Sequence, residues 1–141
     1  MIDVNRQGEV WVFAEQEAGK LSDVPLELLG KARSLAGELG VKTAAVLAGR
    51  DVRPLADKLT AHGADKVYLL EHEKLAAYQT LPYSRALCRL IERVKPQIFL
   101  FGATPLGRDL APHVASSMKA GLTADCTDLR IGDHTAPGDE K

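Results

Sequence analysis

The amino-acid sequence predicts an α/β domain, a doubly wound parallel sheet in three layers with strand order 3-2-1-4-5. Three observations carry this expectation. The apolar runs are short and nearly continuous, at residues 10–14, 43–48, 66–70 and 97–102. Segments with helical spacing stand between them, and each closes on a breaker, at Gly40, Gly63, Pro96 or Gly121. Strands apolar on both faces belong in a sheet covered on both sides, which means a largely parallel one.

The first run holds Trp11 and Phe13, read as core residues rather than a stacking platform. Asp3, Arg6 and Glu9 ahead of it are expected to be solvated, while Glu15 and Gln16 just beyond it suit a functional or loop hydrogen-bonding role. A helix over residues 25–39 sets Leu28, Leu29, Ala32, Leu35, Ala36 and Leu39 on one stripe, with Pro25 in its first turn and Gly40 just past its end. After the second run, Asp51 is expected to cap a helix carrying Leu55, Ala56 and Leu59, closed by Gly63. The third run leads to a helix over 82–95, whose face is Tyr83, Leu87, Leu90, Ile91 and Val94 and which Pro96 stops. The fourth leads to a helix over 105–119, presenting Leu106, Leu110, Ala111, Val114 and Met118. A fifth strand is expected within 122–131, and its charged residues make it an edge.

Right-handed crossovers turn this β-α alternation into a sheet whose switch point lies between strands one and four. Ligands of such sheets bind where strand carboxyl ends diverge, here residues 14–16 and 102–104.

The totals bound the function. At 141 residues, 45% hydrophobic and 26% charged, the chain suits one soluble globular domain. A formal charge of −1 gives no global basic surface for nucleic acid or anionic lipid. No apolar stretch approaches the roughly 20 residues of a membrane helix. Residues 1–6 show neither a secretory nor a transit pattern. Cys88 and Cys126 form no CxxC and suit unpaired thiols in a reducing compartment, so a bacterial cytoplasmic protein is expected.

Residues 101–112 form the most informative segment. A strand ends at Gly102, and a helix opens with Thr104 as N-cap and Pro105 at its first position. Its free amides and dipole would favour an anion in the crevice, and Arg108 one turn in would add a charged donor. The competing structural reading has Thr104 capping, Gly107 permitting close helix packing, and Arg108 pairing with a carboxylate or a partner chain. Neither a Walker lysine nor GxGxxG is present. In the second segment, residues 121–129, Thr123, Asp125 and Asp128 suit ligand orientation or an interface. Strand spacing puts the two aspartates on opposite faces, which argues against a catalytic pair, and Cys126 reads as a small packed residue. His62, His72, His113 and His134 share no metal-ligand spacing and read as surface or cap residues. GxSxG is absent, and nothing assembles nucleophile, base and orienter.

Residues 10–15, with Leu28 to Ala32, Leu35 and Ala36, resemble the opening of electron-transfer flavoprotein alpha subunits, and residues 63–68 are similar to their approach to the third strand. The most specific match is residues 102–112 followed by 121–127. The resemblance spans residues 10 to about 130. It implies an adenine nucleotide alpha hydrolase-like fold and an alpha-subunit amino-terminal domain at residues 1–131, packed against a beta subunit in a heterodimer. Such a protein shuttles electrons through FAD between acyl-CoA dehydrogenase-type enzymes and downstream acceptors, in some members by electron bifurcation. FAD would be held chiefly by the alpha carboxy-terminal domain, and AMP or a second FAD by the beta subunit. Residues 132–141, almost without apolar content, are expected to be a linker toward that missing domain. The domain is then an electron-carrier part without catalysis of its own. Gly102, Thr104, Gly107, Arg108, Thr123, Asp125 and Asp128 are the candidates for subunit contacts or a cofactor edge. The alternative is a stand-alone adenine-nucleotide-binding domain of universal-stress type. Against it, Glu15 to Lys20 replaces a pyrophosphate loop after strand one, and Gly102, Gly107 and Gly121 stand too far apart.

Overall fold

Strand β1 (Val10–Phe13) takes the middle of the sheet because all four of its side chains are apolar and all four are buried. The computed structural model describes residues 8–17, 19–96, 98–102, 104–118, 121–122 and 127–130. Beyond β1 come a short antiparallel pair, β2 (Gln16–Glu17) and β3 (Lys20–Leu21), and helix α1 (Asp23–Leu39). Then follow β4 (Thr43–Gly49), a 3-10 turn (Arg53–Leu55), α2 (Ala56–Ala61), β5 (Lys66–Glu71), a second 3-10 turn (Glu73–Leu75) and α3 (Thr80–Val94). The chain continues through β6 (Ile98–Phe101), α4 (Pro105–Met118), β7 (Gly121–Leu122) and β8 (Thr127–Arg130).

The main sheet runs β5-β4-β1-β6-β8-β7. Its first four strands are parallel, in the expected 3-2-1-4 order. The expected fifth strand is β8, but it runs antiparallel to β6, with Leu100 opposite Asp128. The reason is chain length. Only residues 123–126 separate β7 from β8, and a parallel crossover needs a dozen or more. The two therefore pair antiparallel, Leu122 opposite Leu129.

Alternation along each strand divides the core into two layers. On the α1/α2 face, Val10, Val12, Ala45, Leu47 and Leu100 meet Leu29, Ala32 and Leu59. On the α3/α4 face, Trp11, Phe13, Val46, Phe99 and Phe101 meet Tyr83, Leu87, Leu110 and Val114. The chain's three Phe, three Tyr and one Trp all belong to this second layer. Phe99 and Phe101 stack at 4.5 Å between centroids, and Trp11 meets Phe99 edge-on at 5.3 Å, geometries that the ring quadrupole favours.

Local signals set most helix ends. Gly40, at φ 70°, is the left-handed residue that closes α1. Lys95, at φ 59°, closes α3 ahead of Pro96. Asp51 departs from expectation, since it caps no helix. It sits at φ 54° with its side chain 91% exposed, and the following turn is anchored by buried Val52 instead. An apolar contact with the core outweighs an exposed cap here.

Glu9 also departs from the solvated setting expected of it, while Asp3 and Arg6 lie outside the described residues. Only 13% of the Glu9 side chain is exposed. Trp11 Nε1 and Tyr68 OH donate to its Oε1 at 3.0 and 2.6 Å, and Lys66 Nζ lies 2.8 Å from Oε2. Burial alone would raise this carboxyl, but the three donors and the Lys66 charge outweigh it and hold it below its ordinary value of 4.5. Burial, followed by the neighbouring Glu9 carboxylate, pushes the Tyr68 phenol upward.

Candidate functional site

The switch point lies where β1 and β6, neighbours in the sheet, send their chains to opposite faces. From β1 the chain enters the β2–β3 pair, where the Ser22 amide donates to the Glu15 carbonyl at 3.0 Å. From β6 it passes Gly102 and turns into α4 at Thr104. The Thr104 hydroxyl accepts from the Gly107 amide at 3.0 Å, the N-cap bond the sequence predicts. The same hydroxyl donates to Glu15 Oε1 at 2.6 Å, so one side-chain bond spans the diverging strands.

Described residues approach one another closely across the switch point. A Cβ at Gly107 would lie 2.0 Å from the Gly102 carbonyl oxygen, so this glycine is required by close approach of α4 to the end of β6. A Cβ at Gly102 would lie 2.6 Å from Val24 Cγ1, at the start of α1. Over β4, Gln16 Nε2 donates to the Ala48 carbonyl at 3.0 Å, and its Oε1 accepts from the Gly19 amide at 3.0 Å. Glu15 and Gln16 are thus the loop-bonding residues of the switch point.

Among the predicted site residues, Gly102 and Gly107 are buried, Thr104 is half-buried and Arg108 is exposed. The structure brings these four together at the mouth of β6. Arg108 is held in the first helical turn by its amide, which donates to the Thr104 carbonyl at 2.8 Å. Thr123 and Asp125 lie outside the described residues, as do Cys126 and His134. Asp128 lies in β8, next to β6.

One polar cluster was not legible beforehand. Tyr78 OH and Thr80 Oγ1 both donate to Asp109 Oδ2, at 2.6 and 2.5 Å, tying the start of α3 to the first turns of α4. Hydrogen bonds from Thr80 and then Tyr78 hold the Asp109 carboxyl below its usual range. Burial, and then the bond to Asp109, push the Tyr78 phenol up to about 12. Asp109 is visible in the 101–112 segment, but nothing in local spacing points to a partner 31 residues earlier.

Among the described residues no cluster of His, Cys, Asp and Glu could hold a metal ion, and no helix is long and apolar enough to cross a membrane.

The family model of the electron transfer flavoprotein domain matches residues 10–136. The chain is 49% identical over 132 residues to the electron transfer flavoprotein subunit alpha of Megasphaera elsdenii, covering 94% of this chain and 39% of that protein. It is 43% identical over 129 residues to the acryloyl-CoA reductase electron transfer subunit beta of Anaerotignum propionicum, covering 92% and 35%. It is 48% identical to the protein FixB of Rhizobium meliloti, covering 86% and 36%. The chain therefore spans well under half the length of these relatives.

Proposed function

The chain belongs to the electron transfer flavoprotein family, and from that premise we propose that residues 1–131 are the amino-terminal scaffold and subunit-docking domain of an alpha subunit. One observation carries this reading. At the switch point, where a doubly wound sheet would seat a nucleotide, the described side chains bond to the chain itself: Gln16 to Ala48 and Thr104 to Glu15. The amides of Gly107 and Arg108 at the start of α4 are already bonded to Thr104 rather than free for a phosphate, so the flavin contacts are assigned to the remainder of the full-length protein, which residues 132–141 would lead into.

In this reading the domain does no bond chemistry. Its contribution is rigidity: central strands β1, β4 and β6, buried on both faces, keep the rim around Gly102, Thr104, Gly107 and Arg108 in fixed relation to a beta subunit. Thr123 and Asp125, which precede β8, and Asp128 within it would extend that contact or edge a cofactor shared between subunits. When bound, FAD supplies one- and two-electron chemistry between acyl-CoA dehydrogenase-type donors and downstream acceptors. The beta subunit would hold AMP or, in a bifurcating protein, a second FAD.

The test is to purify the full-length gene product through a tag from its own host, with a visible spectrum and mass spectrometry of the chains that come with it. A yellow complex of a longer chain and a second subunit is expected, and Arg108→Glu is expected to weaken subunit association about tenfold while leaving the fold intact. A colourless chain without a partner that binds AMP or ATP in calorimetry would replace this reading with the stand-alone nucleotide-binding one.

A further inference from the structure

The edge of the sheet farthest from the switch-point rim is left half-covered on one face. Among the described residues, strand β5 has a parallel neighbour on one side only. Its register puts Tyr68 beside Val46 and Leu70 beside Ala48. Val46 and Ala48 are 0% and 2% exposed, whereas Tyr68 and Leu70 are only partly buried. Helices α3 and α4 pack against each other on this face, and among the described residues no helix packs over β5 beside them. The result is a groove of about 940 Å³ between β5 and α3.

The composition of the groove is specific. Its apolar lining includes half-buried Leu70 and Pro82 over a floor of buried Leu75 and Leu90, with Leu81 61% exposed. Its α3 wall carries Arg85, Arg89 and Arg93, all exposed and all lining the groove. A spacing of four residues places them in one row with a rise of about 6 Å each. None of the three makes an ion pair among the described residues. Lys74 and His72 add donors at the far end, and the groove's one carboxylate, Glu71, lies 3.7 Å from Arg53.

We propose that this groove is a docking surface for an acidic amphipathic helix of a partner protein. A helix laid over β5 would occupy the open place in the α3/α4 layer, at the usual 8–10 Å from α3. Carboxylates at every fourth position would repeat at about 6 Å, the same repeat as the arginine row, and adjoining leucines would cover Leu70 and Leu81. Guanidinium groups pair with carboxylates in a bidentate manner, which fixes the register. A strand added in the plane of the sheet fits less well. The groove lies above that plane, and the strand ends carry Lys66 and Glu71, charges that guard an edge. The surface lies about 14 Å, three strand spacings, from β6, so it is separate from the Gly102–Arg108 rim and does not rest on the function proposed there.

The test uses the full-length chain, purified apart from partner chains, and a labelled synthetic helical peptide with glutamate at every fourth position and leucines on the adjoining stripe. Saturable binding is expected in fluorescence anisotropy. Arg89→Glu is expected to weaken it roughly tenfold, and the Arg85, Arg89 and Arg93 to Glu triple variant to abolish it. A lysine version of the peptide is expected to bind the triple variant and not the parent. Unchanged circular dichroism melts check that these exposed substitutions leave the fold in place. Three results would overturn the proposal: no binding of the acidic peptide, binding indifferent to the reversals, or equal binding of a scrambled acidic peptide. Equal competition by inorganic polyphosphate would overturn it in favour of a general polyanion site.

Discussion

Strand β1 is fastened at its two ends in different ways. At the amino-terminal end a single carboxylate, Glu9, gathers Trp11, Lys66 and Tyr68 around itself and ties β1 to the sheet edge. At the carboxyl-terminal end the closure is mostly steric: Gly107 lies against the Gly102 carbonyl and Val24 against Gly102, with Thr104 adding one bond to Glu15. The first fastening depends on charge and therefore on pH. The second depends on the absence of a side chain. A rim that must hold its shape while partners bind is better served by packing, which does not weaken as the local charge changes.

The sharpest way to break this comparison is Gly107→Ala. The new methyl would press on backbone that cannot swing aside, and a loss of about 3 kcal/mol is expected. Urea unfolding should give the same loss at pH 7 and near pH 4. A loss confined to one pH would show that the carboxyl end is held electrostatically after all.

Glu9→Gln tests the other end, with an expected loss of about 2 kcal/mol at pH 7 from weakened bonds to three donors. The sign follows from its lowered folded-state value. Stability from the carboxylate is present above the ordinary 4.5 and drains as pH falls through the folded value. The gap between parent and variant should therefore narrow in acid, and parallel stability curves would contradict the charge-based lock.

The smallest effect is expected at Thr104. Thr104→Val removes the cap and the bond to Glu15 and should cost about 1 kcal/mol, while Thr104→Ser should keep both bonds and nearly all the stability. Thermal melts of the pair would separate the hydroxyl from the methyl. A serine variant as weak as the valine one would assign the role of Thr104 to packing.

Much of this was legible in the sequence. Apolar runs with both faces greasy announced buried parallel strands, and the aromatic positions Trp11 and Phe13 were core by type and place. The Thr104 cap and the Gly107 close approach followed from a strand, a small-residue turn and a Pro at the first helical position. Two errors have one physical origin. Asp51 has the type of a cap and Glu9 the type of a solvated residue, but each position was decided by apolar or polar neighbours that are not adjacent in the chain.

The sequence by itself therefore determined the four parallel strands, the helices that follow them and their order, because periodicity, caps and breakers act within a turn or a strand. Tertiary structure decided the rest. Tyr68 reaches Glu9 across 59 residues and Thr104 reaches Glu15 across 89. The antiparallel seat of β8, the close approach of α4 to the end of β6 and the arginine groove likewise depend on which elements become neighbours. Side-chain bonds between distant segments leave no periodic trace in the chain, and they exist only once the sheet has brought those segments together.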